Sequence, residues 1–273
     1  MSSYQDKAKK FLQKASKAAA EKMENFDADL FIDNIVMKTG ELVDKAQDLT
    51  MEDVQKAGKT AVEKVKNFDP NDFNLDVPTT LQKVLAIEAN VIDRDAFLED
   101  AIGEYVSEDT CRVAIEKNTV IAGIRRKLVD TIADQVISSE VNKASGLSVA
   151  AGSTWATLPA DIVQYFGFVV RIAQKLAYLY GYRALNLKAD EEGLIAGDDL
   201  AMLTRLIAVM FGADGEESKI STKMGKLTLA KGAAAPVPVV GGVLSAGMTY
   251  ATLRPHAERL KKALSELYEA NEQ

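Results

Sequence analysis

The chain has 273 residues, 47% of them apolar and 27% charged, with a formal net charge of −7. That length suits one large domain or a domain with an appended module, and the composition is that of an ordinary folded chain. The acidic balance excludes general nucleic-acid binding, which needs a basic footprint. Cys111 is the only cysteine, so no intramolecular disulfide can form, and a reducing compartment is the simple reading. His256 is the only histidine, which leaves zinc sites with several His/Cys ligands, Ser/His/Asp triads and histidine relays difficult to build. His256 itself reads as a helix-surface or partly buried residue. No metal site and no cofactor site is expected, and no G-x-G-x-x-G dinucleotide fingerprint occurs. Six prolines, many helix-forming residues and no sustained alternation of apolar and polar positions predict an all-α fold.

Residues 1–25 are strongly helix-forming and rich in lysine: Lys7, Lys9, Lys10, Lys14, Lys17 and Lys22 outnumber Asp6, Glu21 and Glu24. Phe11, Leu12, Ala15, Ala18, Ala19 and Met23 supply a weak apolar stripe. The segment fits a basic amphipathic helix on an anionic membrane, with Lys9, Lys10, Lys14 and Lys17 as candidate contacts. The alternative is a solvated helix packed lightly on the domain. Residues 26–75 continue as two further amphipathic segments, the second opening at Thr50 in a box-like arrangement with Asp53. A turn-rich stretch from Phe68 to Pro78 (FDPNDFNLDVP) follows. The chain therefore divides into an arm of amphipathic helices, 1–75, and a multi-helix core domain, 76–273.

Residues 79–143 read as several short helices: TTLQKVLAIEA, then Asp93–Tyr105, then EDTCRVAIEKN, then a longer one from Val120 to Ser145. Arg125, Arg126 and Lys127 form a basic triplet that suits either a solvated face or an anion contact. No residue from Ala144 to Ala160 is charged. Leu158 to Tyr182 (LPADIVQYFGFVVRIAQKLAYLYGY) is the helix that organises the rest. Pro159 stands where a helix begins and Gly181 where it ends. Asp161, Gln164, Arg171, Lys175, Tyr178 and Tyr182 recur at helical spacing, with Phe168 inside the row, as a stripe roughly 100° wide. Val169, Ala173, Leu176 and Ala177 lie opposite and should be fully buried.

Residues 185–198 are polar and turn-like. Asp198–Phe211 reads as a helix capped by one of its leading aspartates. GADGEESK reads as a surface loop without the ligand spacing of an EF-hand. Gly232–Leu253 is a second uncharged run, long enough to span a bilayer. Pro236, Pro238 and the Gly241-Gly242 pair argue instead for a turn followed by a small-residue helix in the core. The C-terminal LRPHAERLKKALSELYEANEQ reads as an exposed amphipathic helix with Leu260, Leu264 and Leu267 on one face.

Two of these segments carry a resemblance. LPADIVQYFGFVVRIAQKLAYLYGY, with a Pro and an Asp before a helix that ends in Tyr180-Gly181, resembles the signature of EcsC-like bacterial proteins. PVPVVGGVLSAGMTYATL, a proline followed by a small-residue helix, resembles a second block of that family. The similarity covers roughly residues 80–255. It implies a bacterial, mostly helical, membrane-associated protein linked to transport or secretion. It brings no catalytic residues. The lysine-rich N-terminus lacks the compact apolar core of a signal peptide, so the expected location is the cytoplasm, at the inner face of the membrane.

Three functions are compatible with these features. The first is a non-catalytic protein that associates peripherally with an anionic membrane surface or with a membrane protein. The second is an enzyme whose site is the stripe on the 159–182 helix, with Asp161 as base or ligand and Arg171 and Lys175 binding an anion. The third is a lipid or small-molecule carrier that turns the same stripe into a cavity. Against the last two stands a structural role, in which Asp161 caps the helix and the basic residues pair with carboxylates such as Asp198 or Asp199. The direction in which these side chains point discriminates among the readings.

Overall fold

The computed structural model describes residues 76–150, 158–188, 195, 197–213, 220–222 and 238–272. Within them there are eight helices and no strand, 77% of the described part being helical. The fold is all-α. The arm, with its candidate lysines Lys9, Lys10, Lys14 and Lys17, lies outside the described residues.

Short polar side chains start the first three α-helices. Asp76 accepts from the Thr79 N–H at 3.1 Å and the Thr79 hydroxyl at 2.6 Å, opening α1 (Val77–Leu85) with Pro78 in its first turn. Proline costs nothing there, because that N–H has no intrahelical partner. The sequence pattern assigns Val77 and Pro78 to the linker; the Asp76 cap makes them helical. A 3-10 turn, Glu88–Asn90, follows. Asp93 caps α2 (Arg94–Ile102), accepting from the Asp95 and Ala96 N–H groups at 3.0 Å. Ser107 caps α3 (Glu108–Glu116), accepting from Thr110 N–H at 3.2 Å.

Four long helices form the body: α4 (Arg126–Ala150), α5 (Leu158–Leu179), α6 (Gly197–Phe211) and α7 (Pro238–Glu272). The pairing of α4 with α7 is readable from its polar contacts. Arg126 meets Glu269 at 2.5 Å, Ser265 donates to Asp130 at 3.1 Å, and Lys261 meets Asp134 at 2.5 Å. Each step of four residues forward on α4 is a step of four backward on α7, so the two helices run antiparallel with one face of each in contact. Tyr180 donates to Asp130 at 2.6 Å while Arg171 reaches Glu140, so α4 and α5 are antiparallel as well. Helix α5 packs against α1, the 3-10 turn, α2, α4, α6 and α7. It joins the short-helix half to the long-helix half. Phe166, Val169, Val170, Ile172, Ala173, Leu176 and Ala177 are fully buried on it, as its apolar arc predicts.

Three expectations are corrected. The chain from Pro238 to Glu272 is one helix of 35 residues with Pro255 inside it, where the sequence suggests two pieces. Pro255 is exposed, but Leu253, Ala257, Leu260, Leu264, Leu267 and Tyr268 around it are buried, and that packing outweighs the lost N–H bond. For the same reason the C-terminal segment is less exposed than its pattern suggests: Leu260, Leu264 and Leu267 form the single buried face that the spacing predicts, and Ala257, Ala263 and Tyr268 are buried beside them. Finally, α4 begins at Arg126 rather than Val120, because a turn through Gly123 (φ 69°) ends with Ile124 N–H on Thr119 O at 3.1 Å. Among the described residues no helix is long and apolar enough to cross a membrane.

Candidate functional site

The close of α5 is built by residues from three elements. Gly181 adopts φ 90°, which L side chains rarely reach. Its N–H bonds to Tyr178 O at 3.2 Å, and Tyr182 N–H bonds to Ala177 O at 3.0 Å. This pair of bonds is a Schellman ending, the stop that Gly181 predicts. The buried Thr119 hydroxyl donates to Leu179 O at 2.8 Å. Arg94, 7% exposed, donates from Nε to Tyr182 O at 3.2 Å. Its other nitrogens reach Ile115 O at 2.8 Å and Ala114 O at 3.0 Å, so one guanidinium closes the end of α3 as well.

Further up α5, Gly167 allows a close approach. A Cβ there would stand 2.9 Å from Asn90 Oδ1. Asn90 therefore lies directly on the helix and donates to Val84 O at 2.9 Å. Gln174, fully buried, holds the same segment: its amide donates to Asn90 O at 2.8 Å and accepts from Ile92 N–H at 3.0 Å.

Between these anchors lies the charged part of the stripe. Arg171 and Lys175 converge on Glu140 of α4, whose side chain is 1% exposed. Arg171 Nε donates to Oε2 at 3.0 Å and its Nη2 to Oε1 at 3.2 Å, a two-pronged bond. Lys175 Nζ donates to Oε1 at 2.7 Å and also stands 5.6 Å from the centre of the Phe97 ring. Arg171 Nη1 donates to Ala89 O at 2.9 Å. Lys143, one turn along α4, sits 3.6 Å from Oε1. Burial pushes the Glu140 carboxyl up, but the bonds and charges of Arg171 and Lys175 outweigh it and hold the group below its ordinary range. Glu140 is ionised at neutral pH and serves as the counter-ion of the stripe.

The stripe is thus divided among different surroundings. Arg171 and Lys175 are brought together on Glu140, while Gln164 is half-buried. Tyr178 continues the row two turns beyond Arg171 but is buried, and Tyr182, past the Gly181 stop, lies off the helix and is buried as well. The Tyr178 hydroxyl accepts from Leu185 N–H at 3.4 Å, and burial raises its ionisation above the ordinary tyrosine value. Asp161 falls in the first turn of α5, and its side chain lies outside the described residues. The expected partners of the basic pair are corrected: Asp199 is engaged by Arg183 and accepts from Asn186 N–H at 2.9 Å, so neither Arg171 nor Lys175 uses it. Asp199 also does not start α6, which opens at Gly197.

His256 is half-buried, beside Tyr165 and 4.5 Å from the Phe211 ring centre. The Tyr165 hydroxyl and His256 Nδ1 are 3.2 Å apart. Arg126 of the basic triplet is held by Glu269. Among the described residues no group of three or more His, Cys, Asp or Glu side chains is placed to hold a metal ion.

Glu140, Gln174, Asn90 and Arg94 were not distinguished by the sequence. Glu140 follows Ser138 and Ser139 on a helix with many polar residues, and its partners are 31 and 35 positions away. The one available signal was the charge imbalance of the stripe itself: two cations on a largely apolar helix require a carboxylate from elsewhere.

Compared with protein-family models, with curated proteins and with solved structures, the chain matches none.

Proposed function

We propose that this chain is a non-catalytic, EcsC-like helical protein that associates peripherally with an anionic membrane surface at its cytoplasmic face, in a role linked to transport or secretion. The observation that carries the proposal is the engagement of the α5 stripe. Arg171 and Lys175 are directed at Glu140, and Tyr178 and Tyr182 are buried. An enzyme or carrier built on the stripe would turn it into an interior cavity; here Arg171 and Lys175 join two helices through Glu140, and only their outer edges reach the surface.

The other support comes from the lysine-rich segment 1–25. Lysines near an anionic surface contribute about 1 kcal/mol each, screened within roughly 8 Å at physiological salt. Lys9, Lys10, Lys14 and Lys17 are the residues assigned to this contact. The test is fractionation of cells expressing the full chain. High salt alone should release the protein from the membrane pellet. Retention at high salt, with release only by detergent, would refute the peripheral reading.

A further inference from the structure

The charges around Glu140 do not balance, and the imbalance lies at the surface. Three cations stand within 4 Å of one carboxylate: Arg171 at 3.0 Å, Lys175 at 2.7 Å and Lys143 at 3.6 Å. Among the described residues, no second carboxylate forms an ion pair with any of the three. Glu140 cancels one charge and leaves an excess of two. Arg171 and Lys175 are four residues apart on one helix, a spacing at which like charges repel. The excess is accessible: the side chain of Lys143 is 57% exposed, and those of Arg171 and Lys175 are 23% and 16% exposed. Ser139, one turn before Lys143, is exposed on the same side of α4 and adds a hydroxyl donor.

We infer that the rim of this cluster, centred on Lys143 and Lys175 and organised by the buried Glu140, is a binding site for a phosphate monoester. Such a group carries about −1.5 to −2 charge at neutral pH and several acceptor oxygens, which matches the excess. Glu140 acts as a positioning residue: it fixes Arg171 and Lys175 by hydrogen bonds, while Lys143, 3.6 Å away, stays mostly exposed. The shared chemistry is the phosphate group, supplied either by a free phosphate ester or by a phosphatidate-type lipid headgroup. The inference is independent of the membrane reading, because the residues involved lie on α4 and α5 and not in the arm.

The experiment compares the full chain with its Lys143→Ala variant. Lys143 is mostly exposed, so the variant should fold, with the same Tm in chloride. Inorganic phosphate is then added against chloride at matched ionic strength. At a phosphate concentration about ten times Kd the native chain should gain about 3 °C in Tm, and the variant less than a third of that. General salt effects stabilise both chains alike and cancel in the comparison. A second arm uses vesicles of phosphatidylcholine with and without phosphatidic acid, in chains whose Lys9, Lys10, Lys14 and Lys17 are replaced by alanine. Flotation that needs phosphatidic acid and falls at least threefold on Lys143→Ala identifies the lipid headgroup as the source. A Lys143-dependent gain with phosphate alone identifies a free ester. If neither the Tm gain nor the flotation depends on Lys143, the site does not exist.

Discussion

Replacing Glu140 by glutamine should be among the most damaging single changes in the described part of the molecule. The substitution keeps the shape and removes the charge. Glu140 is 1% exposed and accepts three charge-assisted bonds, at 3.0 and 3.2 Å from Arg171 and at 2.7 Å from Lys175. Glutamine offers one acceptor oxygen and turns an NH2 donor toward a cation. Removing one member of a buried pair costs about 3–5 kcal/mol, because the remaining charge is left uncompensated. Here two partly buried cations would be left, with Arg171 23% and Lys175 16% exposed, so some of the cost is relieved by water and a loss of about 3 kcal/mol is expected. Urea unfolding followed by circular dichroism measures it, with an unchanged m-value as the check that the denatured state is the same. The effect also has a pH signature. The folded-state carboxyl sits below its ordinary value of 4.5, so its contribution is fully present above that pH and is lost as pH falls through the folded value. Glu140→Gln should therefore remove part of the decline in stability below about pH 4.5. A loss under about 1 kcal/mol, with the acid limb unchanged, would refute the reasoning that this carboxylate organises the cluster.

Further predictions concern the same helix and its anchors. Leu176→Ala, at a fully buried position, should cost about 2–5 kcal/mol by urea denaturation. Gly181→Ala forces a Cβ into φ 90° and should cost about 1–2 kcal/mol by the same measurement, as strain in the left-handed region does. Arg94→Met preserves the stem and removes the donors to Tyr182, Ala114 and Ile115 carbonyls; it should destabilise the chain and speed amide exchange at the ends of α3 and α5 first. Deleting residues 1–75 should leave a cooperatively unfolding core, since Asp76 caps the first helix that follows; a broad, non-cooperative thermal transition would show that the arm is integral.

The parts of this fold that were readable in the sequence are those set by local chemistry. Pro159 and Gly181 bracket α5 because a missing N–H is tolerated at a helix start and a positive φ is needed at its end. The apolar arc through Val169, Ala173, Leu176 and Ala177 is buried as its spacing implies. The sequence pattern breaks at Pro255 because the cost of a proline is local and its compensation is not: buried residues on α7 meeting α4, α5 and α6 carry the helix through. The site was readable only in part for the same reason. Arg171 and Lys175 were visible as charges that needed a partner, but Glu140 looks like any exposed glutamate until α4 is laid antiparallel to α5. Tyr178 shares the angular range of Arg171 and Lys175 but is buried and meets Leu185 of the following chain, and Tyr182 leaves the row because the helix stops at Gly181. Gln174 falls at the edge of the stripe, and only the docking of the Asn90–Ile92 segment shows why an amide belongs there.

The central claim, peripheral attachment through the lysine-rich segment, is tested most directly by flotation of the full chain on vesicles in which the fraction of phosphatidylserine and the salt concentration are varied. The claim predicts binding that rises with phosphatidylserine, falls as salt increases, and is lost when Lys9, Lys10, Lys14 and Lys17 are replaced together by alanine. Failure to float on vesicles of any composition, or binding that survives both high salt and the fourfold replacement, would contradict it.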